Sequence, residues 1–243
     1  MHRLLVETSL LKVDRPALPR DAAHHLAVLR PKAGEAVELF DGRGGWRVYR
    51  WADGLVADSP ICRQDVSTDL PLTLFACVTK GSRWDWTVAK ATELGVARIV
   101  PVVSARTIVR IPPDAREAKR ARWQRVAEDA ARQSDAKWLP SVEAPVDFAD
   151  ALPLVRATTC FVGALADPPQ PPRAEAVRAA CAAGWTRPPA VFVGPEGDFT
   201  PDELAALTAI GVPTSFGPTI LRAETAAIFA VSVLAAMGTA SVR

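Results

Sequence analysis

Apolar runs that alternate with helical patterns are the feature that most constrains the fold of residues 70–243. Residues 72–78 and 99–103 are apolar runs of strand length. The segment between them begins at Ser82 and Asp85, which have capping-box spacing, and ends at Gly95. A strand, a helix and a second strand in this order form a βαβ unit with parallel strands. We therefore predict an α/β fold with a parallel sheet in a C-terminal domain, residues 70–243.

The pattern of residues 1–69 is typical of a separate small β-barrel domain. Short runs at 4–8, 35–40 and 46–51 are separated by turns that contain glycine. Arginine beside aromatic rings suits RNA backbone binding and base stacking. This mixture comprises Arg30, Lys32, Arg43, Arg47 and Arg50 beside Trp46, Tyr49 and Trp51. Acidic and basic residues are balanced over residues 1–70, ten against ten, and core packing is the alternative role for the tryptophans.

Two segments near the C-terminus combine glycine, proline and charged residues where predicted strands end. They are residues 194–200, Gly-Pro-Glu-Gly-Asp-Phe-Thr, and residues 217–226, Gly-Pro-Thr-Ile-Leu-Arg-Ala-Glu-Thr-Ala. In open α/β sheets ligands bind at the carboxyl ends of strands, because backbone N–H groups and helix N-termini converge there. We expect the functional site at these segments. Thr200 and Glu203 additionally predict a capping box at the start of a helix.

Several classes of site are disfavoured. No Gly-x-Gly-x-x-Gly fingerprint or P-loop follows the first strand of the α/β pattern. The four cysteines and three histidines, including His24 and His25, lack metal-ligand spacing, so we predict no metal. The longest nearly apolar stretch, residues 226–237, is shorter than the roughly 20 residues that cross a bilayer, and Glu7 interrupts the N-terminal apolar run. We expect a cytoplasmic protein without a membrane partner.

Charge and hydropathy are unevenly distributed along the chain. Residues 98–132 carry nine Lys and Arg residues against four acids, which indicates either a polyanion-binding surface or a solvated helix face. The last predicted helix, about residues 224–237, is apolar nearly all round. Such a helix is buried on several sides, either by its own domain or by a second subunit.

A series of short motifs runs through both predicted domains. In the C-terminal domain they are Lys80-Gly81, Asp85-Trp86, residues 90–96, Pro101, Arg106, Arg122-Trp123, Ala130-Ala131, Gln133-Ser134 and Pro140, besides the two glycine and proline segments. In the N-terminal domain they are His25-Leu26, Val28-Leu29-Arg30, Gly34 and Phe40-Asp41-Gly42. In this order they resemble the SPOUT, or α/β-knot, methyltransferases. The resemblance is closest to the family that methylates N3 of a uridine in 16S ribosomal RNA.

This resemblance implies a SPOUT-type trefoil-knotted domain at residues 70–243 and a PUA-like β-barrel domain for RNA binding at residues 1–69. It implies S-adenosylmethionine as the cofactor. One wall of the cofactor site would be Gly194, Pro195, Glu196 and Gly197, and the other would be Phe216, Gly217, Ile220, Leu221 and Thr225, with Leu165 contributing from a third turn. The RNA-binding candidates are Arg30, Arg43, Arg47, Lys80, Arg106 and Arg122.

Methyl transfer to uridine N3 implies roles for two catalytic candidates. Arg222 would orient the uracil carbonyl and stabilise the anion that forms when N3 loses its proton. Glu224 would orient Arg222 or cap the helix. The alternative for Arg222 is a structural ion pair with Glu224 or Glu196. The sequence does not identify the group that accepts the proton from uridine N3.

The expected partners are 16S rRNA or the small ribosomal subunit, and a second copy of the chain in a homodimer. Four positions depart from the family pattern: Asp198 replaces a glycine, Thr219 an arginine, Arg132 a glutamate and Ala136 an arginine. Asp tolerates left-handed backbone, so we expect Asp198 to keep the turn. The alternatives are another SPOUT enzyme acting on a ribose 2′-hydroxyl or a tRNA base, and a non-catalytic RNA-binding module.

Overall fold

The computed structural model describes residues 1–64, 71–163, 185–216 and 219–238. The chain forms two compact units: unit 1 comprises Met1–Ser67 and Glu128–Leu139, and unit 2 comprises Thr68–Ala127 and Pro140–Arg243. The predicted boundary between residues 69 and 70 lies outside the described residues and stays a prediction. Nothing in the sequence pattern indicated that residues 128–139 group with unit 1.

Unit 1 is built on a five-stranded sheet. Its strands are β1 (His2–Leu5), β2 (Ala36–Phe40), β3 (Gly45–Trp51), β4 (Leu55–Ala57) and β5 (Cys62–Arg63), and its helix α1 is Arg20–Leu29. β1 pairs parallel with β2, whereas β3 pairs antiparallel with β2, β4 and β5. The order β1-β2-β3-β4 describes a path between two ends, so closure into a barrel remains a prediction.

The first strand lies at His2–Leu5, and the prediction of a strand at 4–8 was therefore wrong at its C-terminal end. A short 3-10 helix, Thr8–Lys12, follows instead. Its Leu11 is buried, and the Thr8 hydroxyl donates to Asp41 Oδ2 at 2.9 Å. Burial of Leu11 and this side-chain bond favour the turn over a continued strand.

A buried charge network joins residues 128–139 to the sheet of unit 1. Arg3 Nε donates to Glu38 Oε1 at 2.8 Å, and its two terminal nitrogens donate to the carbonyls of Ala131 and Ala136 at 2.7 and 3.0 Å. Lys137 Nζ pairs with the same Glu38 at 2.7 Å. Since both side chains of the Arg3–Glu38 pair are less than a tenth exposed, each charge depends on its partner.

Unit 2 contains a seven-stranded sheet in which every pairing is parallel. Its strands are β6 (Thr73–Cys77), β7 (Arg98–Val103), β8 (Ser141–Val142), β9 (Val146–Asp147), β10 (Thr159–Gly163), β11 (Pro189–Val193) and β12 (Val212–Thr214). The order is β12-β10-β11-β6-β7-β8, with β9 also paired to β7. The predicted α/β fold with a parallel sheet is confirmed.

The remaining helices are α2 (Ser82–Glu93), α3 (Arg116–Gln133), α4 (Phe148–Arg156), α5 (Pro201–Thr208) and α6 (Ala223–Gly238). The predicted capping box at Ser82 was wrong, because Gly81 is the N-cap of α2 and no side chain caps the helix. Asp85 is instead hydrogen-bonded to Arg122. Helix α3 follows a 3-10 turn at Pro113–Ala115.

Helix α6 buries an apolar face and leaves part of its surface exposed. Ala227, Val231 and Leu234 are at most 2% exposed, whereas Phe229 is 45% exposed. The helix packs against α2 and β11 of its own unit. None of the helices in the described part of the chain has the length and apolar character needed to cross a membrane.

Candidate active site

The carboxyl ends of β10, β11 and β12 meet at one edge of the unit 2 sheet. Gly163, the last residue of β10, is in register with Val193 on one side and with Thr214 on the other. A cavity of about 260 Å³ opens there and extends to the first turn of α6. We call it the strand-end cavity. Its position confirms the expectation that the two segments converge at strand ends.

Seven predicted site residues line the strand-end cavity: Gly194, Pro195, Glu196, Phe216, Ile220, Leu221 and Arg222. Gly197, Glu224 and Thr225 are not part of its lining. Leu165 and Gly217 lie outside the described residues. Sequence reasoning missed the lining residues Gly163, Thr214 and Ser215, although their positions at the ends of apolar runs were a usable signal.

Gly163 allows an aromatic wall to approach the sheet. A Cβ atom added to Gly163 would lie 2.2 Å from Cε2 and 2.8 Å from Cζ of the Phe216 ring. Any side chain at this position would therefore displace the ring. Phe216 also contacts Phe229 of α6, with ring centroids 6.2 Å apart.

A tight turn follows β11 and forms the opposite wall. The Asp198 N–H donates to the Pro195 carbonyl at 3.0 Å, and Asp198 has a left-handed φ of 57°. Its carboxylate accepts from the Phe199 N–H at 2.8 Å. The prediction that Asp198 preserves the turn in place of glycine is confirmed.

Arg106 holds this turn from a neighbouring loop. Its Nη1 donates to the carbonyls of Gly197 and Phe199 at 2.9 and 3.2 Å. The predicted RNA-binding side chain is thus hydrogen-bonded to the turn that forms the wall. Its role toward RNA stays a prediction.

Glu203 anchors the helix that follows the turn. One carboxylate oxygen accepts from the Thr200 N–H at 3.0 Å, and the Glu203 N–H donates to the Thr200 hydroxyl at 3.2 Å. This is the predicted capping box of α5. The other oxygen accepts from the Ala105 N–H at 2.8 Å, so the same side chain also fixes the loop that carries Arg106.

Arg222 is one of the residues that line the strand-end cavity, and it is exposed. Among the described residues it makes no ion pair with Glu196 or Glu224. Glu196 instead lies 3.4 Å from Arg83 Nη1. No carboxylate of the described residues therefore competes with a ligand for the Arg222 guanidinium.

Glu224 is buried in the first turn of α6. Only 9% of the residue is exposed, and its Oε2 atom accepts no hydrogen bond from the part of the chain that the structure describes. A buried carboxylate oxygen without a donor is costly, since it has lost its hydration. No contact between Glu224 and Arg222 among the described residues supports the predicted role of Glu224 in orienting Arg222.

The RNA-binding candidates differ in whether their side chains already have partners within the protein. Arg30, Arg43 and Lys80 are exposed, and their side chains have no ion pair among the described residues. Arg47 donates to the Ser59 and Leu11 carbonyls and pairs with Asp14, and Arg122 pairs with Asp85. These engagements compete with RNA contacts.

Tyr49 is fully buried, and the expectation that it belongs to an RNA-stacking surface was wrong. Its hydroxyl lies 3.1 to 3.3 Å from the carbonyls of Leu10, Leu11 and Val13. Burial raises the pKa of the phenol, with smaller opposing effects from Arg47. Tyr49 is part of the unit 1 core.

No group of three or more His, Cys, Asp or Glu residues in the described ranges could hold a metal ion. Two buried thiols, Cys77 and Cys160, have a pKa raised to about 12 by desolvation. Thiols with such a pKa are almost entirely protonated near neutrality and are poor nucleophiles.

The chain matches two protein-family models. Residues 66–235 match an RNA methyltransferase domain, and residues 18–50 match an RNA methyltransferase PUA domain. The first match lies over most of the described α/β unit and includes the strand-end cavity. The second includes all of α1 and β2 and most of β3.

The alignments with individual relatives cover nearly the whole of this chain. Ribosomal RNA small subunit methyltransferase E of Synechocystis sp. is 30% identical, and the match covers 97% of this chain and 78% of that protein. The protein of the same name from Bacillus subtilis is 26% identical, with 96% of each chain covered. Among solved structures, ribosomal RNA small subunit methyltransferase E from Neisseria gonorrhoeae, bound to S-adenosyl methionine, is 28% identical with a TM-score of 0.77. That comparison covers 99% of this chain and 98% of the other.

Proposed function

The chain belongs to the RNA methyltransferase family, and on that premise we propose that it uses S-adenosylmethionine to methylate N3 of a uridine in 16S ribosomal RNA. The observation that carries the proposal is the strand-end cavity. Two turns and the start of α6 converge on it, and its lining residue Arg222 has no ion pair among the described residues. The similarity to a small-subunit rRNA methyltransferase bound to S-adenosyl methionine supports both the cofactor and the substrate class.

The residues at the cavity fit the cofactor. The close approach of Phe216 to Gly163 makes an apolar wall suited to an adenine ring, and the opposite turn contributes Gly194, Pro195, Glu196 and Asp198 to the lining. The volume of about 260 Å³ is near the lower end of the roughly 300–1,000 Å³ found for small-molecule sites. We propose that the two predicted walls hold the cofactor, with Leu165 and Gly217 contributing from segments outside the described residues.

S-adenosylmethionine supplies a methyl group already activated on a sulfonium. The chain's task is therefore to bind, orient and adjust the charge of the uracil ring. Arg222 is placed to orient a uracil carbonyl and to stabilise the negative charge that develops when N3 loses its proton. Glu224 lies in the first turn of α6 and does not line the cavity, so the role we propose for it is to cap this helix.

Several features of the family are part of this proposal. Unit 1, with its PUA-domain match, would form the PUA-like barrel and bind RNA through Arg30, Arg43 and Arg47, while Lys80, Arg106 and Arg122 would contribute from unit 2. The C-terminal domain from residue 70 would carry the trefoil knot. A homodimer in the cytoplasm acting on 16S rRNA or the small subunit completes the proposal. A crystal structure with an unthreaded chain in unit 2 would refute the knot.

The decisive experiment incubates the protein with small ribosomal subunits and isotopically labelled cofactor, followed by mass spectrometry of the nucleosides. We expect 3-methyluridine from 16S rRNA. A ribose-methylated product, or methylation only of tRNA, would refute this target and favour another enzyme of the class. Calorimetric titration with S-adenosylmethionine is the accompanying measurement, because absence of binding by the folded protein would favour a non-catalytic RNA-binding module.

A further inference from the structure

A second cavity is lined entirely by residues of unit 1. Its volume is about 380 Å³, and residues from α1, the segments beside α1, the end of β3 and the start of β4 line it. The lining is mainly apolar, with Leu18, Leu26, Ala27 and Leu55 among its residues, and it includes one aromatic ring and one cation. The family match names no role for this cavity.

Trp51 supplies the aromatic ring at a fixed position. Its carbonyl accepts from the Gly34 N–H at 2.8 Å, and its N–H donates to the Glu35 carbonyl at 3.0 Å. The side chain is half-buried, and its indole N–H donates to none of the described residues. Trp51 therefore offers both a partly exposed ring and a free hydrogen-bond donor.

Arg30 supplies the cation. It ends α1 with a left-handed φ of 48°, and its N–H donates to the Leu26 carbonyl at 3.2 Å. The residue is exposed and lines the cavity, and its guanidinium has no carboxylate partner in the described chain. The left-handed conformation is uncommon for arginine, and it places the residue where α1 turns toward Pro31.

The charge around the cavity favours an anion. Arg15 and Lys32 are adjacent in sequence to the lining residues Pro16 and Pro31, and Arg20 begins α1. All three are exposed and lack an ion pair among the described residues. Nearby carboxylates are already engaged: Asp14 with Arg47, Asp58 with Arg50, and Glu35 with the Lys32 N–H and His2. Asp21 and Asp53 are the nearby carboxylates without such a partner, against four cations.

We propose that the unit 1 cavity binds one unpaired nucleobase of the RNA substrate, stacked on Trp51, with an adjacent phosphate on Arg30. This inference rests on the proposed action on RNA. Unpaired bases in RNA are recognised by stacking on aromatic rings and by hydrogen bonds to their edges, which the free indole N–H provides. An apolar peptide would use the apolar walls but would leave the surplus of cations unused.

The test measures binding of a fluorescently labelled oligouridylate of about eight nucleotides, a length typical of one single-strand binding domain. Trp51→Leu keeps apolar packing but removes the ring, so we expect affinity to fall about tenfold, whereas Trp51→Phe should remain within about threefold of the parent. Arg30→Ala should reduce the salt dependence, the slope of log affinity against log salt, by about 0.7. Arg63→Ala, an equal charge change on β5 outside the cavity, should leave the slope unchanged.

A photocrosslink keeps the proposal testable if Trp51→Leu fails to fold. The same oligonucleotide with 4-thiouridine should crosslink to peptides that contain residues 16–31 or 51–55. Crosslinks elsewhere, no oligonucleotide binding by the parent protein, or unchanged affinity in both Trp51→Leu and Arg30→Ala would overturn the proposal. Cofactor titration and methyl-transfer assays on the same preparations distinguish failure of this inference from failure of the proposed function. If the parent protein is active and the variants bind the oligonucleotide normally, only the role of the unit 1 cavity is contradicted. If the parent protein is inactive, the proposed function is contradicted.

Discussion

Gly163→Ala tests the arrangement at the strand-end cavity, because the new methyl group has no room. Its Cβ would lie 2.2 Å from Phe216 Cε2, whereas carbon atoms pack at about 3.5–4.0 Å. The ring would have to retreat by at least about 1.3 Å to restore contact. Phe216 lines the cavity, so this retreat changes the wall that we assign to the cofactor.

The cost follows from the energetics of overpacking. Extra methyl groups in a packed site typically cost about 1–3 kcal/mol. We expect the free energy of unfolding to fall by about that amount. If the original ring position is the one that binds the cofactor, S-adenosylmethionine affinity should fall about 5-fold to 150-fold.

Urea unfolding and calorimetric titration measure both effects, and Phe216→Leu supplies the matched control. The double variant Gly163→Ala/Phe216→Leu should be no less stable than Phe216→Leu alone, because the colliding ring is gone. The resulting coupling energy should be about 1–3 kcal/mol. Additive effects, or a Gly163→Ala protein with parent stability and affinity, would refute the packing described here.

Three further predictions concern charge, capping and thiols. Arg222→Ala should keep cofactor affinity within a few-fold and lower turnover about 10²-fold or more in single-turnover assays, and near-normal turnover would remove it from the mechanism. Glu203→Ala should lower the free energy of unfolding by about 1–3 kcal/mol in urea, since two backbone N–H groups lose their acceptor, and an unchanged midpoint would contradict this. At pH 8, peptide-resolved alkylation should label Cys62 before Cys77 and Cys160, whose pKa of about 12 is raised by burial. Because those two pKa values lie above the ordinary 9.0, their contribution to stability should be lost as pH rises from about 9 toward 12, and equal labelling rates would count against their burial.

The parts of the fold that the sequence predicted well depend on local chemistry. The capping box of α5 needs only residues three apart, and the left-handed turn at Asp198 needs a residue that tolerates it. The same local reasoning failed at Ser82, because Gly81 adopts a φ of 69° and becomes the N-cap itself. Equally plausible local signals can therefore have different outcomes when a flexible residue precedes them.

Features that depend on distant partners could not be predicted. Helix α4 was missed because it contains Pro153, which ordinarily ends a helix, and its Ala151 and Val155 are stabilised by burial in the unit 2 core. The grouping of residues 128–139 with unit 1 depends on Arg3, whose contact with Ala131 spans 128 positions in sequence. At the site, Phe216, which follows β12, approaches Gly163 of β10, and these residues are likewise far apart in the chain.

The pairing of cations decides what the basic segment 98–132 can contribute to RNA binding. Arg98, Arg116, Arg120, Arg122 and Arg132 all have carboxylate partners. Exposed pairs of this kind are worth about 0–1 kcal/mol, so a phosphate can displace Asp85 from Arg122, but the released carboxylate offsets part of the gain. Lys119 has no ion pair among the described residues, so a phosphate that binds it releases no carboxylate and the gain in binding free energy is not reduced. If this surface binds RNA, Lys119→Ala should reduce the salt-dependence slope by about 0.7 and Arg122→Ala by less. A larger reduction for Arg122→Ala would show that the Asp85 pair opens without cost and that charge counting alone describes the segment.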